Sequence, residues 1–253
     1  MENADQRITN EDGLSVIYPC FNEEGNIYRI PRELVPELDK LGMEYEILLI
    51  DDGSSDNTAA FAEGLNLPRL KIIKHEQNKG VGEAMKSGFR NARYNLILTM
   101  DADFSFRAEL IPLLVNRYKQ GDVDVVTGSP KLANHHEELT FFRWFVSKAA
   151  RLVYMALFGK PVTSVNQMFR LYGAEDVKNL QIDARGFDVF AEILFKLMVL
   201  KNKRSAEVPA PMVVREHGVS KLVYRLEMLR HLKLIMKILK WQLQRLFRIN
   251  NAA

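Results

Sequence analysis

Cysteine is nearly absent: Cys20 is the only one among 253 residues. That excludes an intrachain disulfide and suits a reducing compartment. No stretch reaches the ~18 uncharged apolar residues that a membrane-spanning helix requires, so any contact with a bilayer is expected to be peripheral. The segment from Met1 to Gly13 is polar and lacks the apolar centre of a signal peptide, and the chain is expected in the cytoplasm. There is no internal repeat and no low-complexity tract. With 47% hydrophobic residues the composition excludes disorder, and the length fits one α/β domain with appendages better than two full domains.

Acid is scarce at one end only. The formal net charge is +3, yet residues 201–253 hold 12 Lys and Arg against 3 Asp and Glu, and residues 1–200 hold 23 against 29. The basic end therefore faces something anionic: a membrane surface, a phosphorylated substrate or nucleic acid. Nucleic acid ranks last, because the cations alternate with dense apolar residues rather than with Gly, Ser and solvated aromatics.

Three short apolar runs, Leu14 to Ile17, Glu46 to Ile50 and Leu96 to Met100, read as buried parallel strands. Each closes on a polar or acidic cluster: Tyr18-Pro19-Cys20-Phe21-Asn22-Glu23-Glu24, Asp51-Asp52-Gly53-Ser54-Ser55-Asp56, and Asp101-Ala102-Asp103. In an open α/β sheet ligands bind beyond the carboxyl ends of the strands, so the three clusters are expected to share one crevice. Leu70 to Lys74 and Val123 to Gly128 read as further strands. Thr58 to Leu65, Gly82 to Ala92 and Ala108 to Gln120 read as helices, and Asn22 to Leu41 as a helix bent or split by Pro31 and Pro36. This alternation predicts an α/β fold with a mostly parallel sheet covered on both faces. Between β and α, Asn78-Lys79-Gly80-Val81-Gly82 is cationic and Gly-containing, and Lys79 could approach an anionic ligand closely.

Two helices carry surface signals. Leu139 to Phe158 is crowded with aromatics, and Arg143, Ser147 and Arg151 form one stripe at steps of four. That stripe could grip an anion while the aromatic flank rests in lipid; an ordinary core or dimer helix is the alternative. In the terminal segment, from about Leu222 to Ile249, Arg230, Lys233, Lys237, Lys240, Gln244 and Arg248 share a narrow stripe opposite Met228, Leu232, Ile235, Leu239, Leu243 and Leu246. A basic amphipathic helix of this length suits the bilayer interface, drawn by anionic lipid at roughly 1 kcal/mol per cation. Docking on its own domain or on a membrane-protein partner is the alternative. The expected division is a domain over residues 1–221 followed by an amphipathic helix over 222–253.

At these motifs, together with Arg215-Glu216-His217-Gly218-Val219-Ser220-Lys221, the chain resembles the family 2 glycosyltransferases, and within them the dolichyl- and polyprenyl-phosphate glycosyltransferases. The resemblance runs from about Leu14 to Lys221. It implies the GT-A fold, a Rossmann-like α/β arrangement, and inverting transfer of a sugar from a nucleotide-diphosphate donor to a polyprenyl phosphate at the cytoplasmic membrane face. Mannose from GDP-mannose is the first candidate. By the same resemblance Pro19, Phe21, Glu23 and Asp52 line the nucleoside pocket, with Asp52 accepting from a base N–H and Glu23 from ribose hydroxyls. Asp101 and Asp103 are the catalytic acids that organise a divalent cation, Asp103 as direct ligand and Asp101 nearer the sugar. Hard carboxylate oxygens suit Mg²⁺ or Mn²⁺. Arg215, Ser220 and Lys221 bind phosphate on a loop, joined by Arg143 and Ser147.

The chain also departs from that pattern. Ser105 stands where related mannose synthases often have a Gln ligand, Pro130 where an Arg is often found, and Met168 where a Gly usually precedes Phe169-Arg170. Glu192 is expected to face the sugar or the loop. A lipid phosphate with a second pKa near 6 is ionised at neutral pH and needs no general base; if a base is needed, Asp101 is the carboxylate best placed. Transfer of a UDP-sugar to a soluble hydroxyl acceptor, or a non-catalytic nucleotide-sugar-binding scaffold, are the rival readings.

Overall fold

A computed structural model describes residues 12–133, 141–215 and 224–250. Within them the chain builds a seven-stranded sheet: β1 (Gly13–Cys20), β2 (Glu44–Asp51), β3 (Leu70–Lys74), β4 (Leu96–Thr99), β5 (Val125–Ser129), β6 (Arg170–Gly173) and β7 (Ser205–Pro209). The order across the sheet is β3-β2-β1-β4-β6-β5-β7. Parallel pairing joins β1 to β2 and β4, β2 to β3, and β5 to β7; β6 alone runs against its neighbours β4 and β5. The mostly parallel sheet expected from the sequence is present. The chain winds outward from β1 through β2 to β3, then returns to place β4 on β1's other side. The carboxyl ends of β1 and β4 therefore flank the point where strand order reverses, and there a crevice opens.

The helices are α1 (Val35–Asp39), α2 (Thr58–Gly64), α3 (Val81–Asn91), α4 (Ile111–Lys119), α5 (Phe141–Phe158), α6 (Ala174–Lys178), α7 (Asp188–Phe195) and α8 (Tyr224–Asn250). Residues 22–41 are indeed split, into a short turn at Glu24–Asn26, a wide turn at Ile30–Leu34 with Pro31 as its second residue, and α1 with Pro36 in its first turn. Strand residues alternate between two cores. Ile17, Leu48, Ile50 and Ile97 pack with α3, α5, α7 and α8, while Val16, Tyr18, Ile47, Leu49 and Leu98 pack with the 27–38 segment and α4. Both faces are apolar because both are covered, which is why these strands read as continuous rather than alternating runs.

The C-terminal helix corrects the two-sided expectation. A third face, between the basic and apolar stripes, buries Leu234 and Ile238 in the sheet-side core, and Trp241 stacks on Phe195 with ring centroids 6.0 Å apart. Tyr154 of α5 meets Nδ1 of His231 at 2.6 Å. Spacings of seven, four and three from Glu227 to Trp241 repeat every two turns, which is the pattern of a docked helix. Leu229, Leu232, Met236, Leu239 and Leu243 remain exposed beside the basic stripe. No helix among the described residues is long and apolar enough to cross a membrane.

Candidate active site

At the carboxyl ends of β1, β2 and β4 lies a cavity of about 410 Å³. Pro19, Phe21 and Glu23 enter it from β1, Asp52 from β2, and Asp101 and Asp103 from beyond β4. The first two loops are stapled to each other. Asn22 Oδ1 accepts from the Ser55 N–H at 2.8 Å, and the Asn22 N–H donates to Ser54 Oγ at 2.9 Å. Glu24 accepts from the Asn57 N–H at 2.9 Å, and the Glu23 N–H donates to Thr58 Oγ1 at 2.8 Å. Polar residues thus tie the β1 and β2 exits into one rigid rim. Glu23 itself accepts from Asn26 Nδ2 at 2.7 Å, which orients its carboxylate at the cavity wall.

Asp52 is more heavily engaged than a residue waiting only for a nucleobase. Its Oδ1 lies 2.7 Å from His75 Nδ1 and accepts from the Lys79 N–H at 2.9 Å, and its Oδ2 accepts from the Gly80 N–H at 2.8 Å. On the far side His75 Nε2 meets Ser87 Oγ at 2.9 Å. A carboxylate offers about four lone-pair positions, so three are taken by the 75–80 segment. Asp52 therefore shapes the Lys79–Gly80 turn as well as lining the cavity. Gly80 sits at φ +91°, and a Cβ there would meet the Arg185 carbonyl oxygen at 2.4 Å, so only glycine fits. Lys79 contributes its backbone amide; its side chain is exposed and is not part of the cavity lining.

The third cluster holds two carboxylates in unlike surroundings. Asp103 is buried, with Oδ1 accepting from the Ser105 N–H at 2.8 Å and from Ser105 Oγ at 2.6 Å, and Oδ2 lying 2.5 Å from Arg215 Nη2. Ser105 thus orients Asp103 instead of facing the cavity as a ligand. The intervening Phe104 has φ +54°, a left-handed backbone that a bulky residue adopts at a cost of about 1–3 kcal/mol. It is held there by Arg29, whose guanidinium lies 4.4 Å from the ring centroid and donates to the Asp103 carbonyl at 3.3 Å. Tyr18 adds an edge contact at 5.9 Å and donates its hydroxyl to the Ala102 carbonyl at 2.8 Å. Burial and the charge of Asp103 push Asp101 up to about 7, against the pull of Arg215. Two neighbouring carboxylates offer the hard oxygen ligands that Mg²⁺ or Mn²⁺ takes, although Arg215 already compensates the charge of Asp103. Among the described residues no cluster of three or more potential ligand side chains forms, so a cation here would draw its remaining ligands from a diphosphate and water.

The opposite wall comes from the second half of the chain, and the Arg185 and Glu227 in it are not expected from the sequence. Met168 before β6, Arg185, Gly186 and Phe187 before α7, and Leu226, Glu227 and Arg230 of α8 all line the cavity, together with Arg215. Glu192 does not line the cavity toward the sugar, one of the two places expected for it: fully buried in α7, it pairs with Lys196 at 2.5 Å and accepts from the Asp183 and Ala184 N–H groups, at 2.7 Å for the latter, holding the turn that presents Arg185. Arg170 is equally buried and donates to Thr127 Oγ1 and to the Ser164, Val165 and Phe190 carbonyls, a scaffold role. Arg143 and Ser147 fall in the first two turns of α5; their side chains, and the whole of Ser220 and Lys221, lie outside the described residues.

A sequence profile described as Glycosyl transferase family 2 matches residues 15–180. The chain belongs to that family. As a family 2 member it is 32% identical over 241 residues to a protein named dolichol-phosphate mannosyltransferase from Pyrococcus furiosus, covering 90% of this chain and 64% of that one. It is 30% identical over 214 residues to the undecaprenyl-phosphate 4-deoxy-4-formamido-L-arabinose transferase of Edwardsiella ictaluri, covering 82% and 62%. The chain thus spans a little under two thirds of the length of these relatives. Among solved structures, glucosyl-3-phosphoglycerate synthase of Mycobacterium tuberculosis, in complex with Mn²⁺, uridine diphosphate and glucosyl-3-phosphoglycerate, superposes with a TM-score of 0.67 at 19% identity, covering 90% of this chain and 78% of that one. The family 2 member therefore has the GT-A fold that the strand-end motifs imply.

Proposed function

We propose that this protein is a divalent-cation-dependent inverting glycosyltransferase that moves one sugar from a nucleoside-diphosphate donor to a polyprenyl phosphate at the cytoplasmic face of a membrane. The observation that carries the reading is the gathering of the β1, β2 and β4 exits around one cavity with Arg215 on Asp103. The nucleoside lies along Pro19, Phe21, Glu23 and Asp52, with the rim built by Asn22, Ser54 and Thr58 excluding water from its edge. Asp101 and Asp103 would hold a divalent cation, whose chemistry when bound would be to neutralise charge on a diphosphate leaving group. Arg215, and by resemblance Ser220, Lys221, Arg143 and Ser147, neutralise the remaining phosphate oxygens. The attacking phosphate is ionised at neutral pH, so no residue has to remove its proton. The names of the two curated relatives support a lipid-phosphate acceptor. The exposed apolar face of α8, beside Lys233, Lys237 and Lys240, supports an anionic membrane surface as the site of action. GDP-mannose is the first donor to try.

Asp101 supports a second reading, in which a hydroxyl acceptor is used. A carboxylate pushed up to about 7 is matched to proton abstraction near neutral pH, and the structural neighbour named above acts on a soluble acid.

The two are separated by incubating purified protein with polyprenyl phosphate in liposomes and a panel of radiolabelled GDP- and UDP-sugars, with Mn²⁺ or EDTA. Lipid-linked product that requires cation is the expected result. Absence of such product from every donor overturns the first reading, and turnover of soluble acceptors indifferent to liposomes establishes the second.

A further inference from the structure

The acidic wall of the cavity carries Glu23, Asp52, Asp101 and Asp103, and the facing wall carries Arg185, Arg215 and Arg230. Of these cations Arg215 is engaged with Asp103. Arg230 stands on α8, a helix whose sequence signals membrane contact, yet its first turns close the cavity. Glu227, only 8% exposed, accepts from the Phe187 N–H at 3.1 Å through Oε2 and pairs with Arg230 Nη1 through Oε1. The Arg230 side chain packs against Gly186, where a Cβ would be 2.3 Å from Nη1. Among the described residues Glu227 is its one acceptor, so the rest of its donor fork is free for a ligand in the cavity. Arg185, exposed on the same wall, has no side-chain acceptor among the described residues.

From this arrangement, and resting on the function proposed above, we infer that Arg230, positioned by Glu227 and joined by Arg185, binds a phosphate group in the cavity, making α8 part of the active site. A buried carboxylate, itself anchored on the Phe187 N–H, that holds the guanidinium through Nη1 leaves the other donors of the fork for phosphate oxygens, a planar geometry that arginine serves better than lysine. The phosphate could be the donor's diphosphate or the acceptor's monoester; the chemistry recognised is the same.

The test uses the full chain and the variants Arg230→Gln, Arg230→Lys and Glu227→Gln. Calorimetric titrations with Mg²⁺ present compare inorganic pyrophosphate, GDP, UDP, farnesyl phosphate and the bare nucleosides. Loss of about tenfold or more in affinity for pyrophosphate and the nucleoside diphosphates, or for farnesyl phosphate, is expected for Arg230→Gln, as for removal of a hydrogen bond to a charged group. The first pattern assigns Arg230 to the donor and the second to the acceptor. Arg230→Lys recovers part of the loss, Glu227→Gln loses less than Arg230→Gln, and nucleoside affinity stays constant. Equal affinity of wild type and Arg230→Gln for every phosphate, or a parallel loss of nucleoside binding that marks a misplaced helix, overturns the inference. If the wild type binds pyrophosphate through Arg230 but no nucleotide, the proposed function falls while this assignment stands.

Discussion

Arg215 Nη2 lies 2.5 Å from Asp103 Oδ2, so a side chain already supplies positive charge at the carboxylate best suited to a metal ion. A cation and a guanidinium cannot share that oxygen without repulsion. Loading of the cation is expected to release Arg215 toward the diphosphate. Arg215→Ala should therefore raise the affinity of the nucleotide-free protein for Mn²⁺, followed by electron paramagnetic resonance, while lowering turnover. Unchanged Mn²⁺ affinity would show that the contact carries no weight in the solution state.

Asp101 sets a pH dependence whose sign is fixed. The folded protein keeps a proton on Asp101 up to about pH 7, whereas the unfolded chain releases it near the ordinary aspartate value of about 3.9. Between those values the native state binds more protons, so this residue makes stability fall as pH rises, and its loss is complete above about pH 7. In EDTA the melting temperature of wild type should decline across that window relative to Asp101→Asn. Adding Mn²⁺ should reverse the difference, because the ion favours the ionised carboxylate.

The hold of Asp52 on the 75–80 segment predicts a graded pair. Asp52→Ala removes the acceptor for the Lys79 and Gly80 amides and should weaken nucleoside-diphosphate binding by about tenfold or more, the scale of about 1.5–3 kcal/mol for bonds to a charged group. His75→Ala leaves those two amides satisfied and should cost only a few-fold in the same titration. A larger loss from His75→Ala than from Asp52→Ala would contradict this division of roles.

Two residues on α8, two positions apart, should behave oppositely. Leu234 is 2% exposed and packs in the core, so Leu234→Ala is expected to cost about 2–5 kcal/mol in urea unfolding. Met236, 67% exposed, faces outward, and Met236→Asp should leave stability within about 0.5 kcal/mol while reducing co-sedimentation with anionic vesicles. Vesicle binding untouched by Met236→Asp would remove α8 from the membrane reading.

Much of the fold is legible along the chain. The first five strands are found within a few residues of their expected bounds, because each is a short branched-apolar run closed by a polar exit. β6 and β7 escape the reading: Arg170-Leu171-Tyr172-Gly173 carries a buried arginine where a strand interior is usually apolar, and Ser205 to Pro209 is polar and only partly buried. Ser105 illustrates a different limit. Its residue type pointed to a weak metal ligand, but the tight turn at Phe104 aims its hydroxyl at Asp103. Lys79 likewise invited attention for its charge, and it is the backbone amide that is used.

By itself the sequence determined the order of the strand-end clusters, and with it the crevice, since parallel strands of known polarity bring their carboxyl exits to one edge wherever the sheet reverses. Only the tertiary structure decided what faces them. Arg185, Glu227 and Arg230 lie far along the chain on segments whose local pattern speaks of turns and a basic surface helix. Leu234, Ile238 and Trp241 do share helical spacing, but so do the other two stripes of α8, and which of the three is buried depends on how it fits a core made by other elements.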